Sequence, residues 1–299
     1  MRVLITGSSG LIGSALLREL TAAGHQTVRL VRSRTHVAHD AILWDPESNL
    51  PPALSDQEID AVIHLAGENI AARRWTPEQK ARIRESRVAG TRLLCESLTR
   101  LSNPPKTLVS ASAIGYYGNR GDEILREETP AGSGFLAQVC REWEEAAAPA
   151  AEKGIRTVIL RNSMVLSAEG GALARMLPVF RKGLGGRIGS GRQYMSWIAL
   201  DDAIGAIQHC LANTELSGPV ILASPHPVRN SEFIETLGRI LKRPTLLRMP
   251  AFATRLAFGE MADEVLLASQ RADPARLKAS GYPFRFPELQ SALEHLLTR

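Results

Sequence analysis

A doubly wound α/β fold is what this 299-residue sequence predicts: a parallel sheet with helices on both faces, followed by a smaller, mostly helical C-terminal part that covers substrate. Three observations carry that reading. Apolar β-type runs alternate with amphipathic helical runs from residue 2 to residue 160. The strands are too apolar to keep a wet face, which argues for burial on both sides. Past residue 162 the alternation gives way to a glycine-rich loop and a Pro-punctuated helical third. In order, the expected elements are strand 2–5, helix 11–23, strand 27–31, strand 60–65, helix 77–101, strand 106–111, helix 134–152 and strand 155–160. The expected division is a nucleotide-binding part over 1–165 and a substrate-binding part over 166–299 that also contributes late sheet elements.

Composition narrows the function classes. At 44% hydrophobic and 22% charged the chain has an ordinary globular balance, with no apolar run near the 18 residues of a membrane span and no secretory leader pattern. A cytoplasmic protein with no membrane partner is expected. Cys95, Cys140 and Cys210 are far apart and lack metal-type spacing, so they read as buried fillers, and no metal site is indicated. The net charge is +5, but the arginines are dispersed rather than blocked with aromatics, which argues against nucleic acid. Anionic small molecules suit a mild arginine excess equally well.

The first strand runs into "TGSSGLIG", where Gly7, Gly10 and Gly13 sit at a strand-to-helix turn. Absent side chains let a pyrophosphate approach the backbone, and the helix N-terminus attracts its charge, so Gly7, Ser9, Gly10, Leu11, Ile12 and Gly13 are read as a Rossmann-type dinucleotide site. The second strand ends in "HQTVRLVRSR", with Arg32 and Arg34 where an NAD site would place a carboxylate. NADP(H) is therefore the expected cofactor. In "DAVIHLAGENIA", Leu65, Ala66, Gly67 and Glu68 are expected along the cofactor and Asn69 beside the substrate, while His64 reads as a satisfied core histidine.

These motifs, with GxxGxxG spacing, resemble the extended and atypical short-chain dehydrogenases/reductases. "KTLVSASAIGYYG" is similar to that family's "SSAxxYG" segment, which implies cofactor contacts from Ser110 and Ala111, a substrate-orienting hydroxyl at Ser112 and a substrate-side residue at Tyr116. The family's YxxxK pair of tyrosine acid/base and ribose-holding lysine is absent: in "GFLAQVCREWEEAA" the two positions fall on Phe135 and Val139. "FLAQVCREWE", "GSGRQYMSWI" and "GEMA" together resemble the epimerase family of SDR39U1 type, within the NAD-dependent epimerase/dehydratase superfamily. That resemblance places Arg161, Asn162, Ser163 and Met164 of "ILRNSMVL" at the nicotinamide end, and Arg187, Arg192 and Gln193 against an anionic or sugar-like substrate. Asp201 or Asp202 is expected to cap the next helix.

In place of the tyrosine, Tyr116 is the favoured acid/base, with Tyr117 and Glu68 as alternatives. Two function classes stay open. One is an NADP(H)-dependent oxidoreductase or epimerase acting on a carbonyl or hydroxyl compound, with a second copy of the chain in a homodimer among its expected partners. The other is a cofactor-holding regulatory or scaffold protein without turnover.

Overall fold

The computed structural model describes residues 1–32, 40–45, 54 and 58–298. These fall into two compact units. The first comprises Met1–Ser112, Val139–Leu160 and Ile207–Val220; the second comprises Ala113–Gln138, Arg161–Ala206 and Ile221–Arg299.

The first unit contains all or most of strands β1 (Arg2–Thr6), β2 (Gln26–Val31), β3 (Ala41–Leu43), β4 (Ala61–His64), β5 (Thr107–Ala113), β6 (Arg156–Asn162) and β7 (Gly218–Leu222). They form one seven-stranded sheet in the order β7-β6-β5-β4-β1-β2-β3. The β1–β2, β2–β3, β1–β4 and β4–β5 pairings are all parallel, with Leu4 opposite Val28 on one side and Val62 on the other. Burial of β1, β4 and β5 is nearly continuous, as the absence of polar alternation requires. Chain order runs outward from β1 through β2 to β3, then returns to β4 and proceeds the other way. The reversal between β1 and β4 is the topological switch point, and open α/β sheets bind ligands in a crevice past the carboxyl ends of the strands there.

Helices α1 (Leu11–Ala22), α2 (Pro77–Thr99), α3 (Phe135–Ala146) and α4 (Ala148–Glu152) account for the helical runs read from the sequence. Thr76 caps α2, its hydroxyl accepting from the Gln79 N–H at 3.2 Å, with Pro77 in the first turn. The single helix expected over 134–152 is two, because Pro149 has no N–H to give to the preceding turn; it sits instead in the first turn of α4. Leu4, Val62, Leu94, Leu98, Leu108 and Ala150 meet in the core of this unit, and Cys95 fills it as expected.

In the second unit Trp197, Phe233, Leu177 and Leu293 share a separate core. Asp201 and Asp202 lie inside the first turn of the helix Leu200–Ala212 rather than capping it. The carboxylate of Asp202, fully buried, accepts from the N–H groups of Arg285 and Phe286, both at 2.8 Å, and from the Tyr282 hydroxyl at 3.2 Å. It therefore ties the C-terminal segment down. Among the described residues no helix is long and apolar enough to cross a membrane.

Candidate functional site

The three glycines after β1 are small for different reasons. Gly7 has φ +69°, and a Cβ on it would lie 2.6 Å from the Leu65 carbonyl carbon. A Cβ on Gly13 would stand 2.2 Å from the Gly7 carbonyl oxygen. The loop after β4 and the first turn of α1 thus press on this backbone so closely that only glycine fits. Gly10 is different: a Cβ there meets only the Gly7 oxygen, at an ordinary 3.4 Å. It is the N-cap of α1 and supplies no side-chain cap, and the first helical bond is Ser14 N–H to the Gly10 carbonyl at 2.9 Å. The N–H groups of Leu11, Ile12 and Gly13 lie ahead of that bond at the positive end of the helix, beside an exposed Ser9. An anionic diphosphate fits that cradle.

Arg32 stands exposed immediately after β2. Arg34 lies outside the described residues. His64 ends β4 fully buried, with its Nδ1 2.6 Å from the Thr6 hydroxyl and its Nε2 2.9 Å from that of Thr91, which also accepts from the Trp143 indole at 2.9 Å. Burial pushes its pKa down to about 4. This is a structural imidazole bolting β1, β4, α2 and α3 together.

Beyond β4, Leu65 and Ala66 are half-buried and Gly67 is exposed. The Glu68 N–H donates to the Ser86 hydroxyl at 3.0 Å, and Asn69 uses its side-chain oxygen to accept from the Ala71 N–H, closing an Asx turn. Over Gly67 lies the guanidinium of Arg87: a Cβ on Gly67 would be 3.3 Å from Arg87 Cζ. Trp143 of α3 underlies that guanidinium, with 5.0 Å from Cζ to the ring centroid.

At the end of β5, Ala111 and both serines are buried. The Ser110 hydroxyl has no hydrogen-bond partner among the described residues. Ser112 donates to Glu144 Oε1 on α3 at 2.7 Å. This pairing revises the register read for α3. Glu144 and Cys140, four residues earlier, share the face toward β5 and α2, and one turn before them comes Leu136. Val139 instead points into the core at 1% exposure. The helix N-terminus is held by Glu264, whose carboxylate accepts from the N–H groups of Phe135 and Leu136 at 3.2 and 3.1 Å.

The remaining candidates lie in the second unit, where several side chains are committed to the fold. Arg161 is buried, donating to the Tyr117 hydroxyl at 2.8 Å and the Glu127 carbonyl at 2.9 Å, with Cζ 3.6 Å from the Tyr116 ring centroid. Its side chain therefore braces Tyr116 and Tyr117 instead of facing a nicotinamide. Tyr117 is fully buried and donates to the Arg126 carbonyl, which removes it as a mobile acid. Ser163 donates to the Leu222 carbonyl at 2.7 Å, Met164 packs on the second core, and Asn162 is half-buried. Buried Gln193 donates to the carbonyls of Ile188 and Leu266, both at 3.1 Å, so it braces a loop. Arg187 is half-buried on the strand Gly186–Ile188, and Arg192 is exposed with its carbonyl accepting from Arg229.

Sequence reading missed Arg87 and Glu144. The signal for Arg87 was its place between Ile83 and Thr91 on the buried stripe of α2, where a charge is out of keeping.

A model of the NAD dependent epimerase/dehydratase family matches residues 3–222, and a domain of unknown function, DUF1731, matches residues 249–296. Epimerase family protein Mb2239 of Mycobacterium bovis is 48% identical over 299 residues, covering 99% of this chain and 98% of that protein. The crystal structure of human epimerase family protein SDR39U1 with NADPH superimposes with a TM-score of 0.92 at 35% identity, covering 100% of both chains. The UDP-glucose 4-epimerase of Thermotoga maritima, 17% identical with a TM-score of 0.78 over 100% of this chain and 98% of that one, shares the fold.

Proposed function

The chain belongs to the NAD dependent epimerase/dehydratase family, and from that premise we propose that it is an NADP(H)-dependent oxidoreductase or epimerase-like enzyme acting on a small carbonyl or hydroxyl compound. The cradle at Gly10 and the N-terminus of α1 supports a bound diphosphate, and exposed Arg32 after β2 supports a 2′-phosphate. The human relative solved with NADPH supports the same cofactor. In this reading residues 1–165 hold the cofactor, with the backbone of Leu65 to Glu68 along it, and residues 166–299 serve the substrate, with Arg187 and Arg192 as its anionic contacts.

The observation that carries turnover, rather than mere cofactor holding, is the 2.7 Å hydrogen bond from Ser112 to Glu144. When bound, NADP(H) supplies or accepts the hydride. A substrate hydroxyl being oxidised must also lose a proton, and Ser112 Oγ, already donating to Glu144, has a lone pair to receive it while its own proton moves to the carboxylate. In reduction the protonated Glu144 returns the proton through Ser112 to the new alkoxide. Tyr116 is the second candidate for substrate contact.

The absence of a tyrosine and lysine on α3 supports the rival reading of a cofactor-holding scaffold. Following nicotinamide absorbance with NADPH and a carbonyl library separates the two. Turnover should be present in the wild type and fall roughly 10² to 10⁴-fold in Ser112→Ala and Glu144→Gln, with NADPH affinity nearly unchanged. Tight NADPH binding with no turnover of any carbonyl would decide for the scaffold.

A further inference from the structure

We propose that Arg87 is a cofactor ligand whose guanidinium holds the hydroxyl oxygens of the nicotinamide-side ribose, a binding role reached from α2 rather than α3. The assignment rests on the NADP(H) reading above.

Position is the first argument. A dinucleotide lies across the crevice where strand order reverses, here between β1 and β4. With the diphosphate on the turn after β1 and the adenosine end toward β2 and Arg32, the other nucleoside extends past the carboxyl ends of β4 and β5. Arg87 lies over Gly67, three residues beyond the end of β4, with its Cζ 3.3 Å from where a Cβ would stand. Glycine there lets the guanidinium lie flat against bare backbone at the mouth of the crevice. A bulkier residue would push it away.

Charge is the second argument. The guanidinium is half-buried, and its one hydrogen bond among the described residues is to the Ile83 carbonyl a turn earlier, from Nη1 at 3.1 Å. No carboxylate lies within ion-pair distance of it among the described residues; Glu68 acts on it only through its more distant field. Burial lowers its pKa from the usual guanidinium range, yet a guanidinium stays charged at any physiological pH. A half-buried guanidinium with one protein hydrogen bond among the described residues and no carboxylate beside it keeps its charge and its remaining N–H donors available to a ligand that supplies oxygen acceptors.

Preorganisation is the third. Trp143 supports the guanidinium from below, and the Trp143 indole is itself fixed by Thr91. Cys140, a small buried residue of α3, is near enough to Arg87 to act on its charge. The planar fork therefore sits in one place, which is what bidentate recognition of vicinal hydroxyls requires.

Binding, not turnover, tests this. Affinities of the wild type, Arg87→Met and Arg87→Lys would be measured by calorimetry for NADPH and for the 2′-phosphate of ADP, which carries the adenosine half and a diphosphate but no second ribose. Arg87→Met should weaken NADPH by roughly 10- to 100-fold and leave the ADP derivative within twofold, with Arg87→Lys intermediate for NADPH. Equal weakening of both probes would overturn the assignment by moving the contact to the diphosphate, and unchanged NADPH affinity in either folded variant would overturn it outright. Should Arg87→Met not fold, Arg87→Lys alone decides by the same two probes. A wild type that binds neither probe would instead bring down the cofactor reading, and the assignment with it.

Discussion

Lowering the pH should remove a defined amount of stability through His64. Its ring is fully buried between Thr6 and Thr91, and burial pushes its pKa from 6.5 to about 4. The unfolded chain takes up a proton there near pH 6.5, while the folded chain resists until about pH 4. Across that window the unfolded state binds more protons, so stability falls as pH falls. At about 1.36 kcal/mol per pKa unit the whole window is about 3 kcal/mol, of which about 2 kcal/mol disappears between about pH 7 and pH 5. Urea unfolding followed by tryptophan fluorescence at those two pH values, in the wild type and in His64→Leu, isolates the contribution. The variant should be less stable at neutral pH, with its pH dependence flatter by about 2 kcal/mol. Parallel pH dependence in the two proteins would refute the reasoning.

Three further outcomes follow from the same contacts. Gly10→Val should fold with near-native stability and lose NADPH binding, whereas Gly13→Ala, whose Cβ would meet the Gly7 oxygen at 2.2 Å, should unfold at visibly lower temperature; thermal scans with NADPH titration tell them apart. Arg32→Asp should reduce or reverse a preference for NADPH over NADH by about 1.5 to 3 kcal/mol, read as the ratio of the two dissociation constants. Asp202→Ala leaves the Arg285 and Phe286 N–H groups without the buried carboxylate that accepts from them and should lower the unfolding free energy by about 3 kcal/mol in urea titrations.

Features decided within a few residues were legible in the sequence. The strand-to-helix turn at Gly7, Gly10 and Gly13, the parallel sheet and the core role of His64 each follow from short-range pattern. Features decided by meetings between distant elements were not. Arg161 looked like a strand-exit arginine, and only its packing on Tyr116 and Tyr117 shows where its charge is spent. Gln193 read as a substrate contact because the loop around it is rich in glycine and arginine, yet its amide is bound to Ile188 and Leu266. Three-residue β3 was too short to give a period at all. The pairing of Ser112 with Glu144 spans 32 residues, and nothing local marks it.

The missing tyrosine and lysine carry a different meaning once the faces of α3 are known. A lysine at Val139 would enter a core position 1% exposed, so rebuilding the family pair at Phe135 and Val139 would bury a charge without a partner and destabilise the protein. Cys140 is the α3 position that faces the crevice side, and there a lysine would meet Arg87. Two cations brought together there would repel, which disfavours a lysine at 140 while Arg87 is present. Cys140→Lys alone should therefore destabilise the fold and weaken NADPH. Combining it with Arg87→Ala should recover part of both losses, giving a coupling of 0.5 kcal/mol or more in a double-mutant cycle, a magnitude on the order of those for residues in contact. Strictly additive effects of the two substitutions would mean that the side chains at 87 and 140 do not compete, and that Arg87 has not taken the place of the lost lysine.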